Sequence, residues 1–249
     1  MKKNKPDVEC QSPLGGACGH GCDLHCLFKT ARNIQNLLEM AGSKYGNIRH
    51  HLVAEGELIY RRNDTLDYIV IVHSGLVKLE EVLEEGGERI FYLAGTGHVI
   101  GVSALIAEPM RHNAVAVQET QICKVPVASL NSLYYEQPEL CLNLMHCWQL
   151  NLDLVDRCLL KFNTGNSTLR LANLLVFLIN QQVNEKTTPT VRLLSLADMA
   201  ALLGVSRETT CRDLAKLKSN GLIKKLTRNE FFYDYEKLQS LANLFISRC

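Results

Sequence analysis

The sequence predicts an α+β fold in three successive parts: a β-rich body, one long helix, and a C-terminal helix-turn-helix followed by a wing. Three observations carry this reading. Between His51 and Pro126, short β-branched runs are punctuated by glycines at positions 56, 75, 86, 87, 95, 97 and 101, the spacing of an all-β sandwich or barrel. From Pro138 to Lys161 the apolar period turns helical. Beyond that, two capped helical segments stand about four residues apart, the spacing of a helix-turn-helix.

Composition fits such a body. The chain has 249 residues and 27.9 kDa, with 47% apolar and 21% charged residues, which excludes disordered and fibrous classes. No apolar run approaches the roughly 20 residues of a membrane helix. The N-terminal MKKNKPDVEC has no apolar stretch behind its charges, so no secretory leader is expected and the expected compartment is the cytoplasm. The net charge of +1 hides an asymmetry. Residues 1–160 carry 14 Lys and Arg against 19 Asp and Glu, while residues 161–249 carry 13 against 7. A basic C-terminal third on an acidic body points to a polyanion-binding module.

The first element in order is a cysteine-rich segment. Cys10, Cys18, Cys22 and Cys26 fall in a glycine-rich stretch with too little apolar material to fold alone. In a reducing compartment, clustered cysteines signal metal or redox chemistry, and metal ligation would order the stretch. Three residues separate Cys18, Cys22 and Cys26 from one another. Thiolates so spaced can surround a small iron–sulfur cluster, which needs four ligands. Zinc held by these three cysteines with His20 or His25, and a metal-free disulfide switch, are the other readings. The strand-like runs follow, from LIYRRND and YIVIVHSG through HVIGVSAL to QICKVP.

The long helix comes next. Cys141, Met145, Trp148, Leu152, Val155 and Leu159 recur at alternate steps of four and three. That is the narrow seam of a helix paired with a like helix, so a homodimer is expected. Cys147 and Cys158 on the same helix, like Cys141, read as small buried hydrophobes. NTGNS (163–167) breaks the helix, and a second one follows through LRLANLLVFLINQQ.

In the last third, Ser195 caps SLADMAALLG and Gly204 ends it; Ser206 then caps SRETTCRDLAKLKSNG, which ends at Gly221. The second helix of such a pair enters the major groove of DNA. Its leading residues are Ser206, Arg207, Glu208, Thr209, Cys211 and Arg212. Arg can pair bidentately with guanine, and Glu can accept from cytosine. Lys216, Lys218, Lys224, Lys225 and Arg228 are placed to meet phosphates. LIKKLTRNEFFYDY reads as a hairpin wing. No Ser/His/Asp order, phosphate-cradling glycine loop or HExxH occurs, so no enzyme is expected.

SRETTCRDLAKLKSNGLI resembles the recognition helix of the cyclic-AMP receptor and fumarate–nitrate reduction regulator (CRP/FNR) family. GELIYRRNDTLDYIVIVHSGLVKL and GHVIG resemble that family's β-roll. The resemblance spans nearly the whole chain in the family's order. It implies a cyclic-nucleotide-binding-like β-roll, a long dimerisation helix and a winged helix-turn-helix. The implied division is a Cys-rich metal or redox segment at 1–30, the β-roll sensor at 31–137, the dimerisation helix at 138–163, and the DNA-binding domain at 164–249. It further implies a homodimer on double-stranded promoter DNA, with RNA polymerase as a partner and no membrane.

The family's nucleotide binders carry a Gly-Glu pair and an Arg-Ser/Thr-Ala. Here Val102 follows Gly101, and His112 and Asn113 follow Arg111. No cyclic nucleotide is therefore expected. In the FNR-like branch, three N-terminal cysteines join a fourth in a Cys-x-x-Pro context, and Cys123 in QICKVP matches it. The resemblance thus implies an oxygen- or nitric-oxide-sensitive 4Fe-4S cluster on Cys18, Cys22, Cys26 and Cys123, with Cys10 as substitute. The spacing departs from the branch's usual two and five intervening residues. A haem-based gas sensor is a further alternative, but Gly101 and Ser103 stand where the haem branch has Cys and His. Val155 stands where switched dimers of the branch carry an acid, implying a dimer that persists without its cluster. Arg207, Glu208 and Arg212 resemble a CRP-like reading set, implying a TGTGA-like half-site.

Overall fold

The computed structural model describes residues 49–84, 86–136, 138–182, 189–227 and 229–243. Cys10, Cys18, Cys22, Cys26, Arg228 and Cys249 lie outside the described residues.

Among the described residues, eight strands form two four-stranded antiparallel sheets. They are β1 (Arg49–Val53), β2 (Leu58–Tyr60), β3 (Tyr68–Ser74), β4 (Val77–Val82), β5 (Glu88–Ala94), β6 (Val99–Ile100), β7 (Asn113–Ala116) and β8 (Thr120–Pro126). One sheet runs β1-β8-β3-β6 and the other β2-β7-β4-β5. β3 is a near-continuous apolar run whose Ile69, Val70, Ile71 and Val72 are all buried, as expected of a strand covered on both faces. Between β3 and β4, Gly75 turns at φ 100°, and a Cβ there would fall 2.7 Å from the Thr120 backbone. Only glycine fits so close an approach.

The run HVIGVSAL, expected as a strand, divides. Only Val99–Ile100 pairs, and Val102–Ile106 forms a 3-10 turn between left-handed residues Gly101 and Ala107. β1 starts two residues earlier than the expected β region, pairing Arg49 with Lys124. A helix absent from the sequence reading, α1 (Val127–Glu136), leaves the end of β8.

α2 spans Pro138–Asn163, as its period predicts. After the break, Asn166 Oδ1 accepts from the backbone N–H of Leu169 at 2.9 Å and starts α3 (Ser167–Gln182). The C-terminal part adds β9 (Thr190–Arg192), α4 (Leu196–Leu203), α5 (Arg207–Ser219), β10 (Ile223–Lys225), β11 (Glu230–Tyr233) and α6 (Tyr235–Asn243). A small sheet of order β10-β11-β9 makes the wing. α5 ends at Ser219 with Asn220 as its cap, two residues short of the expected Gly221. Tyr235, read as wing, begins α6 instead.

Two apolar cores result. The first fills the β-roll around Val70, Val72, Ile100, Ile122 and Met110. The second joins α3, α4 and α5 to Phe162 and Cys158 of α2, and it also takes in Leu76, Ile90 and Leu93 from the β-roll. The winged helix therefore packs on the β4–β5 hairpin. No helix among the described residues is long and apolar enough to cross a membrane.

Candidate nucleic-acid interface

The reading element is built by its caps. Ser195 Oγ accepts from the N–H of Asp198 at 3.0 Å and starts α4. Gly204 ends α4 in the left-handed region at φ 62°, ψ 42°, where a residue without Cβ is unstrained. Ser206 Oγ then accepts from the N–H of Thr209 at 3.1 Å and starts α5. Both caps and the glycine stop fall where the sequence placed them.

α5 buries Thr210, Asp213, Leu214 and Leu217 against the domain. The opposite face exposes Arg207, Glu208, Cys211 and Arg212, with Ser206 exposed and Thr209 half-buried. This is the set expected to read DNA. The Glu208 backbone N–H and the Ser206 hydroxyl, with the Arg207 charge beside them, hold the Glu208 carboxyl below the usual carboxylate range. Glu208 is therefore a charged acceptor at neutral pH, suited to an amino donor on a base edge.

The flanking lysines divide. Lys224 and Lys225 are exposed on β10. Lys218 lies over the Phe231 ring at 5.1 Å, tying the wing to α5. Lys216, expected at phosphate, pairs with Asp213 at 3.0 Å. Asp213 is a functional residue the sequence does not announce. Its side chain is 2% exposed, and Oδ1 also accepts the Thr168 hydroxyl at 2.7 Å. Burial pushes its carboxyl up, but the hydroxyls of Ser167 and Thr168 and the Lys216 ammonium outweigh this and hold it low. A charged Asp213 thus anchors α5 to the start of α3, next to the break after α2. Only a buried Asp on an otherwise apolar face would have signalled it, and the sequence alone does not show that burial.

The sensor candidates lie elsewhere. Cys123 is fully buried on β8, opposite His50 of β1 and Ile71 of β3. Strand alternation puts it on the same sheet face as His50 and Leu52, both exposed. Among the described residues no group of three or more His, Cys, Asp or Glu is placed to hold a metal ion. A metal at Cys123 would need the N-terminal cysteines. Cys123 itself sits in the apolar β-roll core beside β1, and the chain between the N-terminal cysteines and β1 lies outside the described residues. Cys158 is buried, as expected, and burial pushes its thiol up to about 12. In the stretch compared with nucleotide binders, the Tyr60 hydroxyl and His112 Nε2 lie 2.9 Å apart, and Asn113 Oδ1 accepts the Arg62 N–H.

On α2, Met145, Trp148, Leu152 and Leu159 are each about half exposed or more. Val155 is half-buried against the β-roll core. The side chains of Cys141 and Cys147 lie outside the described ones.

Residues 51–137 match the cyclic nucleotide-binding domain, and residues 169–241 match the Crp-like helix-turn-helix domain. The chain is 27% identical to electron transport regulator A of Shewanella oneidensis, over 76% of this chain and 77% of that protein. It is 24% identical to the fumarate and nitrate reduction regulatory protein of Salmonella typhi, over 82% and 84%. Its fold resembles FixK2 from Bradyrhizobium japonicum, with a TM-score of 0.68 at 20% identity, covering 78% of this chain and 97% of that one. A transcriptional regulator of the CRP/FNR family from Thermus thermophilus gives a TM-score of 0.65 at 23% identity, covering 78% and 98%. With both domain matches in the family's order, and with the reading helix exposed between its caps, the chain belongs to the CRP/FNR family of transcription regulators and is not an enzyme.

Proposed function

We propose that the chain is a homodimeric regulator that senses oxygen, nitric oxide or redox state through an N-terminal 4Fe-4S cluster and binds palindromic promoter DNA. It would work in the cytoplasm with RNA polymerase and without a cyclic nucleotide. The observation that carries the sensor is Cys123: a buried thiol on β8, in a Cys-x-x-Pro context, beside β1, the first described strand. Cys18, Cys22 and Cys26 supply the other thiolates, with Cys10 as substitute. When bound, such a cluster supplies a centre whose integrity responds to oxidants. The chain's own part is to hold four thiolates together and to link the N-terminal segment to the β-roll through Cys123. The half-exposed apolar stripe of α2 supports a second copy as its cover.

Protein purified without oxygen should be straw-brown, with broad absorption near ~400 nm from thiolate-to-iron charge transfer, and should contain iron and sulfide. Cys123→Ser should lose the colour. Full colour in that variant would remove Cys123 from the site, and stoichiometric zinc without iron would end the cluster reading.

A further inference from the structure

Lys78 belongs to the β-roll, yet its ammonium reaches the winged helix. On β4, Nζ lies 2.7 Å from Asp198 Oδ1 in α4, 2.8 Å from Glu80 and 3.6 Å from Glu88. Its side chain is 13% exposed, and those of Glu80 and Asp198 are 8% and 18%. Burial pulls the ammonium down, but the Asp198 and Glu80 carboxylates more than offset this and hold it above the ordinary lysine range. Asp198 is itself fixed, since its Oδ2 accepts the Ser195 hydroxyl at 2.6 Å. One cation thus grips the first turn of the helix that leads into the reading helix.

Two more contacts lie at the same junction. Arg192 of β9 pairs with Glu55 at 2.6 Å. The Arg89 guanidinium of β5 packs on Gly204, where an added Cβ would collide with Nη1. Beneath them, Leu76, Ile90 and Leu93 fill the winged-helix core. None of this covers the reading face, because Arg207, Glu208, Cys211 and Arg212 remain exposed. The docking fixes the direction of that face without hiding it. Apolar packing tolerates sliding, whereas a desolvated ion pair is favourable only in one geometry.

We propose that Lys78 is a positioning residue for DNA recognition: through Asp198 it sets the angle of the winged helix on the body and thereby the half-site spacing the protein accepts. The proposal rests on the dimer reading above, since spacing has meaning only when two reading helices bind together. In family-type dimers the half-sites lie about one helical turn apart, and a helix swung off its angle misses the second half-site.

The test compares full-length wild type, Lys78→Met, Lys78→Arg and Asp198→Asn on two kinds of DNA. One is a single half-site; the other is a series of palindromes whose spacing changes by single base pairs. Sedimentation and thermal melting are run in parallel. Lys78→Met and Asp198→Asn should bind the single half-site within about 2-fold of wild type, as for a distant independent site. They should bind the best palindrome at least ~10-fold more weakly, or about 1.4 kcal/mol. Their spacing preference should flatten, and Lys78→Arg should restore much of it. Wild-type spacing preference in both Lys78→Met and Asp198→Asn would overturn the proposal. So would a parallel loss on both kinds of DNA with a lowered melting point, because the junction would then only hold the domains together. A dimeric wild type with unchanged variants defeats the proposal alone; a monomeric wild type defeats it together with the dimer.

Discussion

His98 is fully buried at the turn between β5 and β6, stacked on Tyr92 with ring centroids 5.7 Å apart. Its Nδ1 accepts the Gly95 N–H at 3.1 Å and lies 2.9 Å from the Tyr92 hydroxyl. Its Nε2 has no hydrogen-bond partner among the described residues. Burial pushes its pKa down to about 4. The folded state therefore holds it neutral, while the unfolded chain takes up a proton near the ordinary histidine value of about 6.5. The stabilisation is complete above about pH 6.5 and is lost as pH falls toward 4. Between pH 7.5 and 5 this linkage should remove about 2 kcal/mol of stability. Denaturant unfolding across that range should show the loss, and His98→Gln should flatten it. An equal slope in wild type and variant would remove His98 as its source. A lone histidine in GHVIG gave no periodic sign of its burial, whereas Ser195, Ser206 and Gly204 were legible because caps and stops act on their own few neighbours.

At the scale of elements, the start of the reading helix depends on one hydroxyl. Ser206 satisfies the N–H of Thr209, so Ser206→Ala should destabilise the C-terminal domain by about 1 kcal/mol. The same change should weaken DNA binding, because the first turn of α5 carries Arg207 and Glu208. An unchanged unfolding midpoint in urea would show that water replaces the cap without loss. The bounds of α2 were readable because its seam runs over many turns. α1 was not, since VASLNSLYYE mixes β-branched, hydroxyl and aromatic residues of weak helix propensity. It is helical because it packs, with Leu130 in the β-roll core. The 3-10 turn at Val102–Ile106 escaped for another reason: the left-handed residues that bound it, Gly101 and Ala107, leave no hydrophobic pattern. α6 did leave a trace, the Asp234 side chain that accepts from the Lys237 N–H at 3.1 Å, within a stretch assigned to the wing.

For the molecule as a whole, the stripe on α2 is a run of apolar side chains that the chain's own packing leaves uncovered among the described residues. Trp148 is 51% exposed and Met145 61%, too much apolar surface to be this helix's own core. Trp148→Glu should give a monomer by sedimentation and weak binding to palindromic DNA, since an unpaired charge buried in the seam is opposed by several kcal/mol. A dimeric Trp148→Glu variant would place the interface elsewhere. Order and type of the large parts could be read from local pattern. Docking of the winged helix could not, because Lys78 and Asp198 are 120 positions apart and neither stands out locally. The shared core bears on how regulators of this architecture diversify. Leu76, Ile90 and Leu93 belong to the β-roll in sequence but to the reading domain in packing. A reading domain transplanted from a relative would meet a foreign apolar seat, so altered operator preference is reached more readily by point changes on α5 than by exchanging the domain.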